Sequence, residues 1–293
     1  MLNIKVRKFL ELIKFSHTIF ALPFALIATI LALQETHQLV NEKSTWIIFF
    51  WIVIAMAGAR SGAMGFNRFI DRRWDAENPR TASRPSVTGE ISAFQIIVMV
   101  VISFAVLIFA AWNLNLLAFW LSPVAIFLVC FYSYTKRFSS FSHFFLGMAI
   151  GSAPVAAWIA VTGTFSASSI IIGLSVLTWM AGFDILYALQ DLEYDKSTQL
   201  HSIPVKIGIT KSLLLAKLLH ILTVGLWIIL SYLEALHWIF VAGIIVCSAL
   251  LIWEHSLLKK DDLSKLDMAF FNMNAIISVT LFITLTLDVI LFL

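Results

Sequence analysis

Nine stretches of about 20 mostly apolar residues constrain this chain more than any other feature, because a helical run of that length spans the hydrocarbon core of a bilayer. They fall near 15–35, 45–66, 92–112, 116–134, 142–162, 168–190, 211–232, 236–254 and 270–292. The expected fold is an all-α integral membrane protein, a nine-transmembrane-helix bundle, with residues 1–293 forming one domain. Hydrophobic residues make up 60% of the chain and charged residues 13%, about half the charged share of an average soluble domain. Soluble enzymes and nucleic-acid-binding proteins are excluded as classes. Cys130 and Cys247 both lie in apolar runs, so they are expected to be packing residues and not a disulfide or a thiolate metal site. The opening "MLNIKVRKFLELIK" is a basic amphipathic lead-in without a small-residue cleavage pattern, and no signal peptide is expected.

The connections alternate in character. The lead-in, 67–91, 135–141, 191–210 and 255–269 are charged, whereas 113–115, 162–169 and 233–237 carry almost nothing. Of the twenty Lys and Arg residues only Lys43 falls clearly on the second side. The positive-inside rule then places the N-terminus and the charged loops in the cytoplasm and the C-terminus outside, in the inner (cytoplasmic) membrane.

Two of the charged connections share a pattern. Asn67, Asp71 and Asp75 stand at i, i+4 and i+8, so they stack on one face if the second span continues as a helix past the membrane surface. In "GFDILYALQDLEYD" the same spacing puts Asp184, Tyr187, Asp191 and Asp195 on one face. Like charges at i, i+4 destabilise an isolated helix by a few tenths of a kcal/mol, so two such sets call for a cation. Mg²⁺ suits them, since it takes oxygen ligands and is held by one or two carboxylates with substrate phosphates supplying the rest. Arg68, Arg72, Arg73, Arg80, Arg84, Lys136 and Arg137 stand around the acids, and such a mixture fits a diphosphate, which accepts both metal bonds and bidentate Arg contacts. A single acid- and base-rich loop is ordinarily just a solvated face; the repetition of the spacing argues against that reading here.

These residues resemble a known family. "NRFIDRRWD" at 67–75, "RTASRPSVTGEIS" at 80–92, "YTKRF" after the fourth span, and "GFDILYALQDLEYD" with "HSIPVKIG" at 201–208 look like the signature regions of the UbiA-type intramembrane aromatic prenyltransferases. The resemblance covers nearly the whole chain. It points to the bacterial 4-hydroxybenzoate polyprenyltransferases and their menaquinone-pathway relatives. It implies a bundle open sideways to lipid and Mg²⁺ bridging two acidic motifs through a polyprenyl diphosphate. Asn67, Asp71 and Asp75 would form the first metal motif and Asp191 and Asp195 the second, the four aspartates being the catalytic set. Arg72, Lys136 and Arg137 would bind the diphosphate. Many relatives carry Asp directly after the Asn, and this chain has Arg68.

The implied reaction transfers a polyprenyl group to the ring of an aromatic acid and releases diphosphate. The favoured acceptor is 4-hydroxybenzoate, as in ubiquinone biosynthesis; the alternative is a naphthoate of menaquinone biosynthesis. Ionisable residues at membrane depth are candidate functional groups. Arg60, two helical turns before Asn67, is the candidate for the acceptor carboxylate, with an ion pair to Asp184 as its rival role. Lys14 is the second candidate, against snorkelling to the interface. His17 is expected to be a packing residue and Asp288 an outer-interface residue. Two other classes fit the sequence less well. A secondary transporter would hold its charges nearer the midplane on Gly/Pro-broken helices, and a phosphatidyl-transferring enzyme would show an Asp-Gly start that this chain lacks.

Overall fold

The computed structural model describes residues 18–38, 42–258 and 273–292, and all regular structure among them is helical. In chain order the helices are α1 (Thr18–Glu35), α2 (Glu42–Ile70), α3 (Arg72–Glu77), α4 (Pro85–Thr88), α5 (Ala93–Leu114), α6 (Leu116–Thr135), α7 (Ser142–Thr162), α8 (Ala167–Ala188), α9 (Leu192–Ser197), α10 (Ile203–Leu233), α11 (Trp238–Leu257) and α12 (Asn274–Phe292). A 3₁₀ turn, Leu189–Asp191, joins α8 to α9. Among the described residues eight helices are long and apolar enough to cross a membrane. In α1 the apolar stretch Ala21–Glu35 is shorter. Lys14 and His17 lie outside the described residues.

The expected spans sit on these helices. The run expected at 211–232 lies in the part of α10 that follows a backbone break at Gly208 (φ 78°, ψ 169°), and a short preceding segment runs from Ile203 to the break. Only glycine reaches that conformation without strain. Ser202 starts this helix by accepting a hydrogen bond from the Val205 N–H, and Pro204 follows in its first turn. The polar Lys206 and Lys211 break the apolar pattern around the kink, so hydropathy marks the part of the helix beyond it and not the short segment before.

Most sequential helices are also spatial neighbours. α1 packs on α2, α2 on α5, and the order continues through α6, α7, α8, α10, α11 and α12 until α12 returns to α1. This ring is crossed by α7, which leans onto α1. On one side of that crossing the bundle is filled by large side chains, including Phe24, Trp158, Trp179, Trp227 and Phe240. On the other side Ala55, Ala59, Ala111, Ala118 and Ala125 are too small to meet across the gap and leave an apolar cavity of about 390 Å³.

Two polar residues tie the ends of the bundle opposite the charged loops. The Asn115 side chain caps α6 and donates to the carbonyls of Ile159 (2.7 Å) and Ala160 (2.9 Å) at the end of α7. Asp288, expected at the outer interface, is in fact buried. Its carboxylate accepts from the backbone N–H groups of His237 (2.7 Å) and Phe240 (3.0 Å), so α12 caps the N-terminus of α11. Both cysteines are free, Cys247 buried and Cys130 half-buried.

The approach of α7 to α8 depends on glycine. A Cβ at Gly151 would sit on the carbonyl oxygen of Gly173. Gly151→Leu is therefore expected to force the helices apart and lower the Tm of the solubilised protein, an overpacking cost of about 1–3 kcal/mol. An unchanged Tm would show that the two helices do not meet there.

Candidate active site

The first acidic segment keeps its expected helical spacing across a change of element. α2 ends at Ile70 and α3 starts at Arg72, yet the Asp71 N–H still bonds to the Asn67 carbonyl (2.9 Å) and the Asp75 N–H to the Asp71 carbonyl (2.8 Å). Asn67, Asp71 and Asp75 thus remain on one side. The second segment behaves similarly, with Asp184 inside α8, Asp191 in the 3₁₀ turn and Asp195 in α9.

All six residues line one polar cavity of about 200 Å³, together with Arg68, Arg80, Arg84, Lys136 and Arg137. This cavity sits at the end of the bundle from which the charged loops emerge. The apolar cavity lies next to it along two helices. Tyr132 and Ser133 on α6 and Leu146 on α7 belong to the polar chamber, and one turn away Leu128, Val129 and Met148 belong to the apolar one.

Each acid of the two motifs has a cation. Asp71 Oδ1 accepts from Arg137 (3.2 Å) while its Oδ2 accepts from the Asn67 amide (2.7 Å). Asp75 Oδ1 is bonded by Arg84, and Arg68 lies 3.9 Å from its Oδ2. Asp191 receives both Nε (3.0 Å) and Nη2 of Arg80, with Asn78 adding a bond to Oδ1 (3.3 Å). Lys136 Nζ lies 3.6 Å from Asp195 Oδ2. Burial and the neighbouring Asp75 charge push the Asp71 carboxyl above its ordinary range, with Arg137 opposing. Burial pulls the Lys136 ammonium down, but the carboxylates of Asp195, Asp184 and Asp191 outweigh it and raise it.

Further contacts hold the two acidic segments against each other. The Tyr194 hydroxyl donates to the Trp74 carbonyl (2.8 Å), and Arg80 Nη1 donates to the Tyr187 hydroxyl (2.8 Å) while its guanidinium lies over the Tyr187 ring. Arg137 stacks 4.0 Å from the centre of the Trp74 ring.

Other expected positions fall differently. Arg72 is half-buried and does not line the cavity; Arg80 and Arg84, four residues apart in "RTASR", take that place. Arg60 and Asp184 do not form the rival ion pair. Asp184 Oδ2 accepts from Nδ1 of the fully buried His143 (2.7 Å), whereas Arg60 has a buried Nε without a hydrogen-bond partner among the described residues and Tyr132 within electrostatic reach. Arg68, the departure from the family pattern, is buried beside Asp75 and contributes a positive charge to the cavity. His143 and Asn78 carried no signal that sequence spacing could read.

The oxygen donors fit a hard divalent cation. Asp75 Oδ2 and Asp195 Oδ2 are buried and accept no hydrogen bond, leaving lone pairs of the kind Mg²⁺ takes. Among the described residues no group of three or more His, Cys, Asp or Glu side chains is arranged to hold a metal.

The comparisons with known proteins agree with this geometry. The model of the UbiA prenyltransferase family matches residues 21–276. The 4-hydroxybenzoate octaprenyltransferase of Alcanivorax borkumensis is 30% identical over 73% of this chain and 72% of its own length, and that of Tolumonas auensis 28% identical over 77% and 80%. Among solved structures, the apo structure of a UbiA homolog from Aeropyrum pernix K1 superposes with a TM-score of 0.82 at 27% identity, covering 93% of this chain and 98% of that one. A UbiA homolog from Archaeoglobus fulgidus bound to DMAPP and Mg²⁺ shares the fold, with a TM-score of 0.70 at 20% identity over 96% and 99% of the two chains. With the family model matching most of its length, and its two acidic segments meeting in one chamber, this chain belongs to the UbiA prenyltransferase family.

Proposed function

We propose that this protein is a Mg²⁺-dependent polyprenyltransferase that moves a polyprenyl group from polyprenyl diphosphate to the ring of an aromatic acid, 4-hydroxybenzoate being the favoured acceptor. The observation that carries this reading is the adjacency of two chambers. A polar cavity lined by Asp71, Asp75, Asp191, Asp195, Lys136 and Arg137 lies next along α6 and α7 to an apolar cavity walled by small side chains. A molecule with a diphosphate head and an isoprenoid tail matches that division. Bringing the tail out of water contributes about 0.8 kcal/mol per CH₂.

In this reading Asn67, Asp71, Asp75, Asp191 and Asp195 hold Mg²⁺, which supplies Lewis-acid stabilisation of the departing diphosphate. Lys136, Arg137, Arg80 and Arg84 turn their N–H donors toward the same oxygens and stabilise the charge they gain as the allylic C–O bond breaks. The apolar walls keep water from the allylic cation until the ring attacks. Arg60 takes the acceptor carboxylate. Arg60 itself lines neither cavity, but it is within electrostatic reach of Tyr132 in the polar one; its guanidinium stays protonated in a protein and Asp184 is engaged by His143, so an anionic partner suits it. The nine-span topology with the acidic loops in the cytoplasm is part of the same proposal. Exposed Trp46, Trp112, Trp120, Tyr232 and Trp238 all sit at helix ends opposite the polar cavity, as aromatic residues do at a membrane interface.

The full-length protein in lipid nanodiscs, given polyprenyl diphosphate, 4-hydroxybenzoate and Mg²⁺, is expected to release diphosphate and form a ring-prenylated product. EDTA, or Asp191→Ala, should abolish turnover while the protein stays folded. Turnover that survives EDTA would remove the metal from the reading, and product formed with a dihydroxynaphthoate but not with 4-hydroxybenzoate would move the enzyme to the alternative acceptor.

Arg60→Leu provides a separate check on the acceptor. A charged hydrogen-bonding partner is worth about 1.5–3 kcal/mol, so kcat/KM for the aromatic acid should fall about 10- to 100-fold. The corresponding phenol without a carboxylate should lose little. Equal losses on both acceptors would show that Arg60 serves the structure and not the carboxylate.

A further inference from the structure

Prenylation of an arene ends with a step that none of the residues above performs. Once the new C–C bond forms, the ring carries a proton on the attacked carbon, and aromaticity returns only when a base removes it. Four acids of the cavity have cationic partners: Asp71 with Arg137, Asp75 with Arg84, Asp191 with Arg80 and Asp195 with Lys136. Asp184 differs.

Its partner is His143, whose side chain is fully buried. The imidazole Nε2 accepts the backbone N–H of Ile203 (3.2 Å), so the ring proton lies on Nδ1, which donates to Asp184 Oδ2 (2.7 Å). An imidazole that accepts on one nitrogen and donates on the other is neutral. Asp184 is therefore oriented by a neutral hydrogen-bond partner, and although the Lys136 ammonium acts on it electrostatically, it forms no ion pair with a Lys or Arg among the described residues. Its side chain keeps 23% of its surface accessible and lines the cavity. Oδ2 is taken by the His143 ring, and no hydrogen bond to Oδ1 is found among the described residues, which leaves Oδ1 as the oxygen open to a proton.

Depth favours the same residue. Asp184 precedes Asp191 by seven residues, about 10 Å farther along the helix from the acidic rim. Arg60 precedes Asn67 by the same number on α2. An acceptor held by Arg60 would thus lie nearer the level of Asp184 than that of the metal-binding aspartates.

We infer that Asp184 is the catalytic base that takes the ring proton, and that His143 is the positioning residue that aims it; this rests on the aromatic prenyl transfer proposed above. In the step, the allylic C–O bond breaks with its electron pair leaving on the diphosphate. The ring forms the C–C bond, and the C–H pair returns to the ring as the proton moves to Asp184 Oδ1. The resulting carboxylic acid returns the proton to water at the open face of the cavity. No oxidant or further reactant is needed.

The test uses the full-length protein in nanodiscs with 4-hydroxybenzoate bearing either hydrogen or deuterium at the two ring positions beside the hydroxyl. The wild type should turn over both at the same rate, with C–O cleavage limiting. Asp184→Asn should lower kcat about 10²- to 10⁴-fold, the usual contribution of a positioned base, leave KM for the polyprenyl diphosphate nearly unchanged, and introduce a primary isotope effect. His143→Leu should show a smaller loss with the same isotope effect. His143→Gln should recover most of the activity, because its amide can both donate to Asp184 and accept from Ile203. If Asp184→Asn fails to fold, Asp184→Glu, which keeps the carboxylate but displaces it, should be slow and isotope-sensitive. A slow Asp184 variant with no isotope effect would overturn the assignment and leave the diphosphate or water as the base. Failure of the wild type to prenylate the ring at all would instead overturn the functional reading itself.

Discussion

Mutual compensation of charge at the end of an apolar bundle is the constraint from which the rest of this structure follows. Asp71, Asp75, Asp184, Asp191 and Asp195 share one chamber with Arg68, Arg80, Arg84, Lys136 and Arg137. A buried carboxylate without a partner costs several kcal/mol, so these groups can leave water only together. Their partners lie far apart in the chain: Arg80 reaches Asp191 across 111 residues and Arg137 reaches Asp71 across 66. The pairings therefore draw the two acidic segments over the cavity, and Tyr194 bonding to the Trp74 carbonyl fastens them there. In the function proposed, the groups that would meet a metal and a diphosphate are the same groups that close the site.

The apolar half of the bundle divides its work by side-chain size. Where α1 and α7 cross, three buried tryptophans and two phenylalanines fill the space on one side. On the other side rows of alanine leave a cavity. Helices in lipid gain little from hydrophobic association and depend on close packing, which the Gly151–Gly173 approach supplies between α7 and α8. The tight α7–α8 packing also sets His143, near the start of α7, against Asp184 on α8. A rigid seam between two helices is what lets one imidazole orient a carboxylate and satisfy the first N–H of a third helix at once.

Much of the site could be read in the chain because its periodicity is local. Acids four residues apart keep to one side as long as the hydrogen-bond spacing is helical, and the backbone preserves that spacing even where α2 gives way to α3. Partner choice was not legible in the same way. Arg72 and Arg80 look alike in a loop of mixed charge, but only Arg80 lies in the chamber and bonds Asp191. Asp184 belonged to the acidic pattern, and its hydrogen bond to His143, 41 residues away, could not be inferred from spacing. Asp288 at the other end of the bundle is buried, and its work as a cap for α11 depends on a neighbour 51 residues distant.

The sequence by itself determined that the chain is a bundle of membrane helices and that two acid-bearing segments emerge at one end of it. Both follow from interactions within a few residues: length and apolarity decide which segments leave water, and a 3.6-residue turn decides which side chains share a face. Only the tertiary structure decided which cation answers which carboxylate, where alanines leave a cavity, and which aspartate has an imidazole for its partner. Those outcomes depend on distances between helices, set by the packing of the whole ring, and no local pattern in the chain encodes them.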